Sequence, residues 1–219
     1  MHTSGQIAII GNGRMGKWFS KYFEEHGLTV SLYGKNDPLD NISKVDYIML
    51  AVTLGNMEQV IDAISKYVRK DQIVFDIASI KSHFIKRLEK LNCKIGSVHP
   101  MFGESAKGIE GQTVVIISDV GKEQKLIEEL FKGAKITYMK YKDHDKMMAY
   151  SQVLPYVLNL AFGDVIKGKK IIEPPVYLMQ KKVLEKIKEE EKMVRQIVEL
   201  NPYRKEIIEK IRKKMEEIL

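Results

Sequence analysis

Three short segments of this chain place reactive side chains at positions where a fold could put them to use. His99 stands in Ser97-Val98-His99-Pro100-Met101-Phe102-Gly103, straight after an apolar run and before a proline-fixed turn. An imidazole there suits proton abstraction near neutral pH, although a strand-end histidine also serves as a structural hydrogen-bonder. Among the other histidines, His2 is terminal, His26 closes a helix, His83 reads as a helix-surface residue and His144 opens a helical region. A second segment, Asp76-Ile77-Ala78-Ser79-Ile80-Lys81, follows another buried run. The third, Gly11-Asn12-Gly13-Arg14-Met15-Gly16, has the spacing of a phosphate-binding turn. In such a turn Gly11 makes the tight bend, Gly13 admits a pyrophosphate and Gly16 lets helix and strand pack closely. Arg14 and Met15 then open a helix whose free N–H groups and dipole face the phosphates. A glycine-rich turn at a sheet edge is the plain alternative. The order strand, fingerprint, amphipathic helix favours the nucleotide.

The elements that must position these groups alternate. Gln6–Ile10 is a short isoleucine-rich strand, and Met15, Trp18, Phe19, Tyr22 and Phe23 recur on one helical face. His26-Gly27 ends that helix with glycine where a left-handed cap is needed. Strands are predicted at Thr29–Tyr33, Asp46–Val52, Ile73–Ile77, Lys94–Val98, Thr113–Ile117 and Lys135–Tyr138, with helices at Met57–Val68 and Lys122–Phe131. This grammar predicts an α/β domain, a Rossmann-type, doubly wound, mostly parallel sheet with helices on both faces. His99, Ser79 and Lys81 would then lie at carboxyl ends of strands, the edge where such sheets bind ligands, and Val52 would line the cofactor from the third strand. Near His144 the pattern turns wholly helical. A long helix runs to Gly163, a second spans Val176–Leu200, and Asn201-Pro202 starts a third striped by Ile208, Ile211, Met215 and Ile218. The chain therefore divides into a dinucleotide-binding domain, 1–143, and a small all-α domain, 144–219. Three helices are too few to bury such apolar faces alone, which predicts a homodimer.

At the end of the second strand an acidic residue would take the ribose hydroxyl of NAD. The chain reads Tyr33-Gly34-Lys35-Asn36-Asp37 instead, and a small residue followed by a cation suits the 2′-phosphate of NADP. The other reading has Lys35 in solvent and Asp37 serving NAD.

Composition excludes several classes. With 219 residues, 44% of them hydrophobic, the chain has material for a core and is not globally disordered. A single cysteine excludes a disulfide framework and a multi-cysteine metal site, so no metal is expected. No apolar run is long enough for a membrane span, and the N-terminal MHTSGQ lacks the features of a signal peptide, so a cytoplasmic location is expected. The net charge of +7 invites nucleic acid as a partner, but residues 167–219 carry five of those charges interleaved with acids. That pattern describes solvated helix faces, not a nucleic-acid or membrane footprint.

The segments GNGRMG, DIASIK, SVHPMFGE and HDKMMAYSQVLPYVLNLAFG, in this order, resemble the prephenate dehydrogenase family, which includes arogenate dehydrogenases. The resemblance runs over most of residues 6–163. It implies oxidative decarboxylation of prephenate to 4-hydroxyphenylpyruvate with NAD(P)+ in tyrosine biosynthesis, with NADP favoured by Lys35. It also implies that His99 takes the ring hydroxyl proton and that Ser79 hydrogen-bonds near that hydroxyl and the nicotinamide. Lys81 would add positive charge for a substrate with two carboxylates, and Gln152 matches a glutamine of one family branch. Tyr156 stands where many relatives have a histidine. The family's carboxylate-binding arginine falls by spacing on Lys186, with Arg195 as a rival. Arogenate dehydrogenase, an NADP-linked β-hydroxyacid or imine reductase, and a non-enzymatic nucleotide-sensing or nucleic-acid-binding module are the alternatives.

Overall fold

The computed structural model describes residues 5–218; His2 and the rest of the first four residues lie outside them. The boundary between two compact units falls between His144 and Asp145. The first unit is built on a seven-stranded sheet of order β2-β1-β3-β4-β5-β6-β7. Its strands are β1 Gly5–Ile10, β2 Leu28–Tyr33, β3 Tyr47–Leu50, β4 Ile73–Asp76, β5 Lys94–Pro100, β6 Thr113–Ile117 and β7 Lys135–Met139. All neighbours pair parallel except β5 and β6. The exception has a simple cause. The helices α1 Arg14–Glu25, α2 Leu54–Ile64, α3 Ile85–Leu88 and α4 Gln124–Leu130 carry crossovers, but only a loop joins β5 to β6. Without a helical crossover the chain returns antiparallel, setting His99 opposite Val115.

The predicted strands all form, with ends shifted by a residue or a few. The second helix begins at Leu54, not Met57, because Leu54 is itself buried and its first turn packs. On α1 the faces separate as expected: Phe19, Tyr22 and Phe23 are buried, and Gly27 takes the left-handed cap with φ 89°. Phe19, Phe23, Phe75 and Phe131 meet edge-on or stacked within the main core. Truncating any one of these rings would cost about 3–5 kcal/mol.

The helical unit departs further from expectation. Helix α5, Tyr141–Met148, begins before His144, and the long helix expected to reach Gly163 is interrupted. Residues Ala149–Val153 form a π-type stretch before α6, Leu154–Ile166. Pro155 explains the interruption, since it lacks an N–H and its ring crowds the preceding turn, so the helix widens there. The predicted helix Val176–Leu200 is also two, α7 Pro175–Glu189 and α8 Glu191–Leu200, with Glu190 outside helical geometry at φ −123°. No glycine or proline marks that break. It lets α8 bury Val194 and Ile197, while α7 buries Leu184 and Ile187.

Helix α9, Arg204–Ile218, buries Ile207 against Ala149 and Val153. The stripe predicted on this helix faces outward at Ile208, Met215 and Ile218, with Ile211 half-buried. Asn201 caps as expected, its Oδ1 accepting the Tyr203 N–H at 2.8 Å, and its Nδ2 donates to the Asp145 carbonyl at 2.8 Å. Asn201→Ala removes both the cap and the hydrogen bond to the Asp145 carbonyl, and should destabilise the protein by about 1–3 kcal/mol. Urea unfolding checks this, and a loss below about 0.5 kcal/mol would count against the double role of Asn201.

Candidate active site

The strand order reverses between β1 and β3, so the chain leaves β1 in one direction and returns on its other side. A crevice opens at such a point. The turn after β1 fills it with backbone alone. Gly11 has φ +120°, and a Cβ on it would lie 2.3 Å from the Ala51 carbonyl oxygen. A Cβ on Gly16 would lie 1.8 Å from the Gly11 oxygen, whereas one on Gly13 would meet nothing within 4 Å. Two glycines are thus required by close approach, and the third faces open space. Helix α1 starts at this turn with no capping side chain and no acid in its first turn. These are the properties of an anion cradle, and a dinucleotide pyrophosphate fits them.

Arg14 is exposed and pairs with Glu104 at 2.9 Å. Met15 and Val52 are half-buried beside the turn's neighbours. At the end of β2, Lys35 is exposed, and the Asp37 carboxylate accepts the Gly34 N–H at 2.6 Å. A Cβ at Gly34 would lie 2.7 Å from Asn12 Nδ2, so a side chain there would require the exposed Asn12 side chain to shift.

The loop after β5 is tied to α1. Trp18 Nε1 donates to the Ala106 carbonyl at 2.8 Å, and its ring meets Phe102 edge-on at 5.0 Å. His99, at the base of that loop, is 3% exposed. Its Nδ1 lies 2.9 Å from Nε2 of His144, which is fully buried. Burial, then the neighbouring His144 and Lys81, hold the His99 imidazole well below its ordinary range, so it is neutral at physiological pH.

Lys81 was expected to present its charge to a substrate; it is instead fully buried. Its ammonium lies 2.5 Å from Asp76 Oδ1 and 2.6 Å from the Val98 carbonyl. The reason is geometric, since the turn after β4 folds the side chain inward between two strand ends. Ser79, in the same turn, is half-buried. His83 lies half-buried just before α3, not on its surface. Burial pushes the Cys93 thiol up to about 11, which makes it a poor nucleophile.

In the helical unit Gln152 falls within the π-type stretch, with a buried Oε1 that has no hydrogen-bond partner. Tyr156 is half-buried one residue after Pro155, and burial followed by Glu190 raises its phenol above the ordinary range. Lys186 is exposed on α7. Arg195 is exposed on α8, pairs with Glu191 at 2.7 Å, and lines a cleft with Leu160, Val198 and Arg204.

Two members of the His99 cluster were not assigned a role from sequence. His144 appeared only as the start of the helical region; the available signal was its place in the HD pair of the last motif. Asp76 carried a signal too, as an acid closing the otherwise apolar strand Ile73-Val74-Phe75.

Fold and site together define a dinucleotide-binding domain of the dehydrogenase class. Residues 20–122 match the family described as "Prephenate dehydrogenase, nucleotide-binding domain". The chain is 26% identical over 193 residues to a "Probable arogenate/prephenate dehydrogenase" of Methanocaldococcus jannaschii, covering 76% of this chain and 43% of that protein. It is 29% identical over 164 residues to the "T-protein" of Enterobacter agglomerans, covering 72% of this chain and 44% of that one. It thus spans less than half the length of these two relatives. Among solved structures, Synechocystis arogenate dehydrogenase superposes with a TM-score of 0.74 at 14% identity, covering 97% of this chain and 90% of that one. Prephenate dehydrogenase from A. aeolicus, in complex with hydroxyphenyl propionate and NAD+, superposes at 0.65 with 20% identity and 98% of both chains. The likeness is thus to the prephenate/arogenate dehydrogenases, with residues 20–122 matching the nucleotide-binding domain of that family.

A buried neutral His99 has a consequence for stability. Its folded pKa lies below the unfolded value of 6.5, so the unfolded chain binds more protons as pH falls. Stability is unaffected above that value and declines as pH drops through 6.5 toward the folded pKa. His99→Gln should therefore gain stability relative to the parent on going from about pH 7 to about pH 5. Urea midpoints measured across that range check it; parallel curves for the two proteins would count against a buried neutral imidazole.

Proposed function

We propose that this chain is a prephenate dehydrogenase using NADP+, which oxidatively decarboxylates prephenate to 4-hydroxyphenylpyruvate. The observation that carries this reading is the buried, neutral His99 with Nδ1 engaged by His144. For His99 to take a proton at Nε2, its Nδ1 must carry hydrogen and donate to His144 Nε2. His144 thereby selects the useful tautomer and holds the ring in place. When bound, the nicotinamide supplies the hydride acceptor for the substrate's ring carbinol. His99 takes the hydroxyl proton as that carbon is oxidised, and Ser79 orients the hydroxyl. Departure of the ring carboxylate as CO2 restores aromaticity and leaves a phenolate, to which the His99 imidazolium returns its proton. Alignment and a base are then the main demands on the protein.

The exposed cations Lys186 and Arg195 are the candidates for the substrate's carboxylate, with Gln152 and Tyr156 on the same helical unit. Arg195 has the planar geometry that binds a carboxylate bidentately. The NADP reading is supported by the exposed Lys35 and by a glycine, not an acid, at position 34. Absorbance at 340 nm with NAD+ or NADP+, adding prephenate or arogenate in turn, tests the reading. Reduction with prephenate and NADP+ is expected, and His99→Asn should lower turnover at least about 100-fold, worth about 2.7 kcal/mol at the transition state. No reduction with any pairing would end the proposal, and reduction with arogenate alone would change the substrate.

The helical unit also supports a homodimer. Ile172 is 93% exposed, Val176 78%, Met179 69% and Ile218 83%, an apolar surface a second copy would cover. Sedimentation equilibrium at micromolar concentration should give twice the chain mass; a monomer under those conditions would remove the dimer.

A further inference from the structure

At the point where β4 and β5 stop pairing, a buried ion pair takes over from the backbone. Their parallel ladder runs from Ile73↔Lys94 to Asp76↔Ser97. Beyond it, β5 pairs antiparallel with β6 through Val98, His99 and Pro100, while β4 leaves into the turn that carries Ser79. The two strand ends bearing the proposed chemistry therefore have no further backbone bonds to each other along that ladder. Lys81 spans the gap. Its Nζ reaches the Val98 carbonyl at 2.6 Å and Asp76 Oδ1 at 2.5 Å, and Oδ1 also accepts the Ala78 N–H at 2.8 Å.

We propose that Lys81 is a positioning residue, whose buried ammonium locks the Ser79 turn to the backbone carbonyl immediately preceding His99. This rests on the reading of His99 as base and Ser79 as its neighbour in the site. Stability alone does not account for the arrangement. Lys81 and Asp76 are both fully buried, and desolvating such a pair costs about as much as its attraction returns. Asp76 Oδ2 and Ser97 Oγ are buried without hydrogen-bond partners, so this corner is not built for the greatest stability. An apolar pair of similar volume would hold the core as well or better.

The ammonium also has an electrostatic effect on the base. The groups acting on His99 are His144 from α5 and Lys81 from the turn after β4, with Asp76 of β4 behind Lys81; on β6 the facing residue is the apolar Val115. Lys81 helps to keep the imidazole unprotonated and ready to accept.

The test uses the full chain. Lys81→Met alone leaves Asp76 charged and unpaired, and should compromise folding. The double variant Lys81→Met/Asp76→Asn removes both charges and keeps the Oδ1 acceptor for Ala78. It is expected to fold, with a melting temperature at or above that of the parent. Its His99 titration, followed by NMR of the imidazole and assigned with His99→Asn, should move upward toward that of free histidine. Turnover should fall by about tenfold or more, with the KM for the dinucleotide unchanged within about twofold. A folded double variant with an unmoved His99 titration and parental turnover would overturn the proposal. If the parent reduces no dinucleotide with prephenate or arogenate, the proposed function fails, yet the NMR titration still decides whether Lys81 acts on His99.

Discussion

The first unit depends on a close approach of backbone to backbone. Where β1 turns into α1, Gly11 sits against the Ala51 carbonyl and Gly16 against Gly11, at distances no side chain survives. That contact lets the helix settle on the sheet at a depth where Phe19 and Phe23 reach Phe131, which in turn meets Phe75. The same contact aims the uncapped start of α1 at the crevice where the strand order reverses. Packing and anion binding thus come from one piece of geometry. An alanine at either glycine would disturb both at once.

The second constraint is the handling of buried polarity at the strand ends. Asp76, Lys81, His99 and His144 are all buried, and each is placed where another group meets it. Charges in such a place are stable only when paired, and a histidine there is neutral unless a carboxylate favours its cation. Burial first, then His144 and Lys81, drive the His99 ring toward its neutral, basic form. Burial, which usually argues against function for a polar side chain, here defines the protonation state that the proposed chemistry needs.

Much of the fold was legible because it is written in local period and local backbone demand. Six-residue apolar runs, a 3.6-residue stripe on α1 and glycines at forced turns are properties of short segments, and each appeared where the pattern said. The fingerprint and His99 belong to the same class. The helical unit was harder. The interruption at Ala149–Val153 was encoded by Pro155, a local signal overridden by the length of the apolar run. The break at Glu190 has no breaker residue; it follows from which neighbours Val194 and Ile197 find. Likewise, periodicity could say that α9 has an apolar stripe, but not that Ile207 would be its buried member.

The sequence by itself determined a parallel sheet, a phosphate-binding turn at its head and a histidine at the end of one strand, because each depends on residues within a few positions of one another. Tertiary structure alone decided what surrounds that histidine. His144 reaches it across 45 residues of chain, and Lys81 turns inward because β5 abandons β4 for an antiparallel partner. Strand order and direction set those distances, and no local pattern carries them. The same lysine that reads as a substrate cation in one dimension is, in three, a buried bridge from the turn after β4 to the carbonyl that precedes His99.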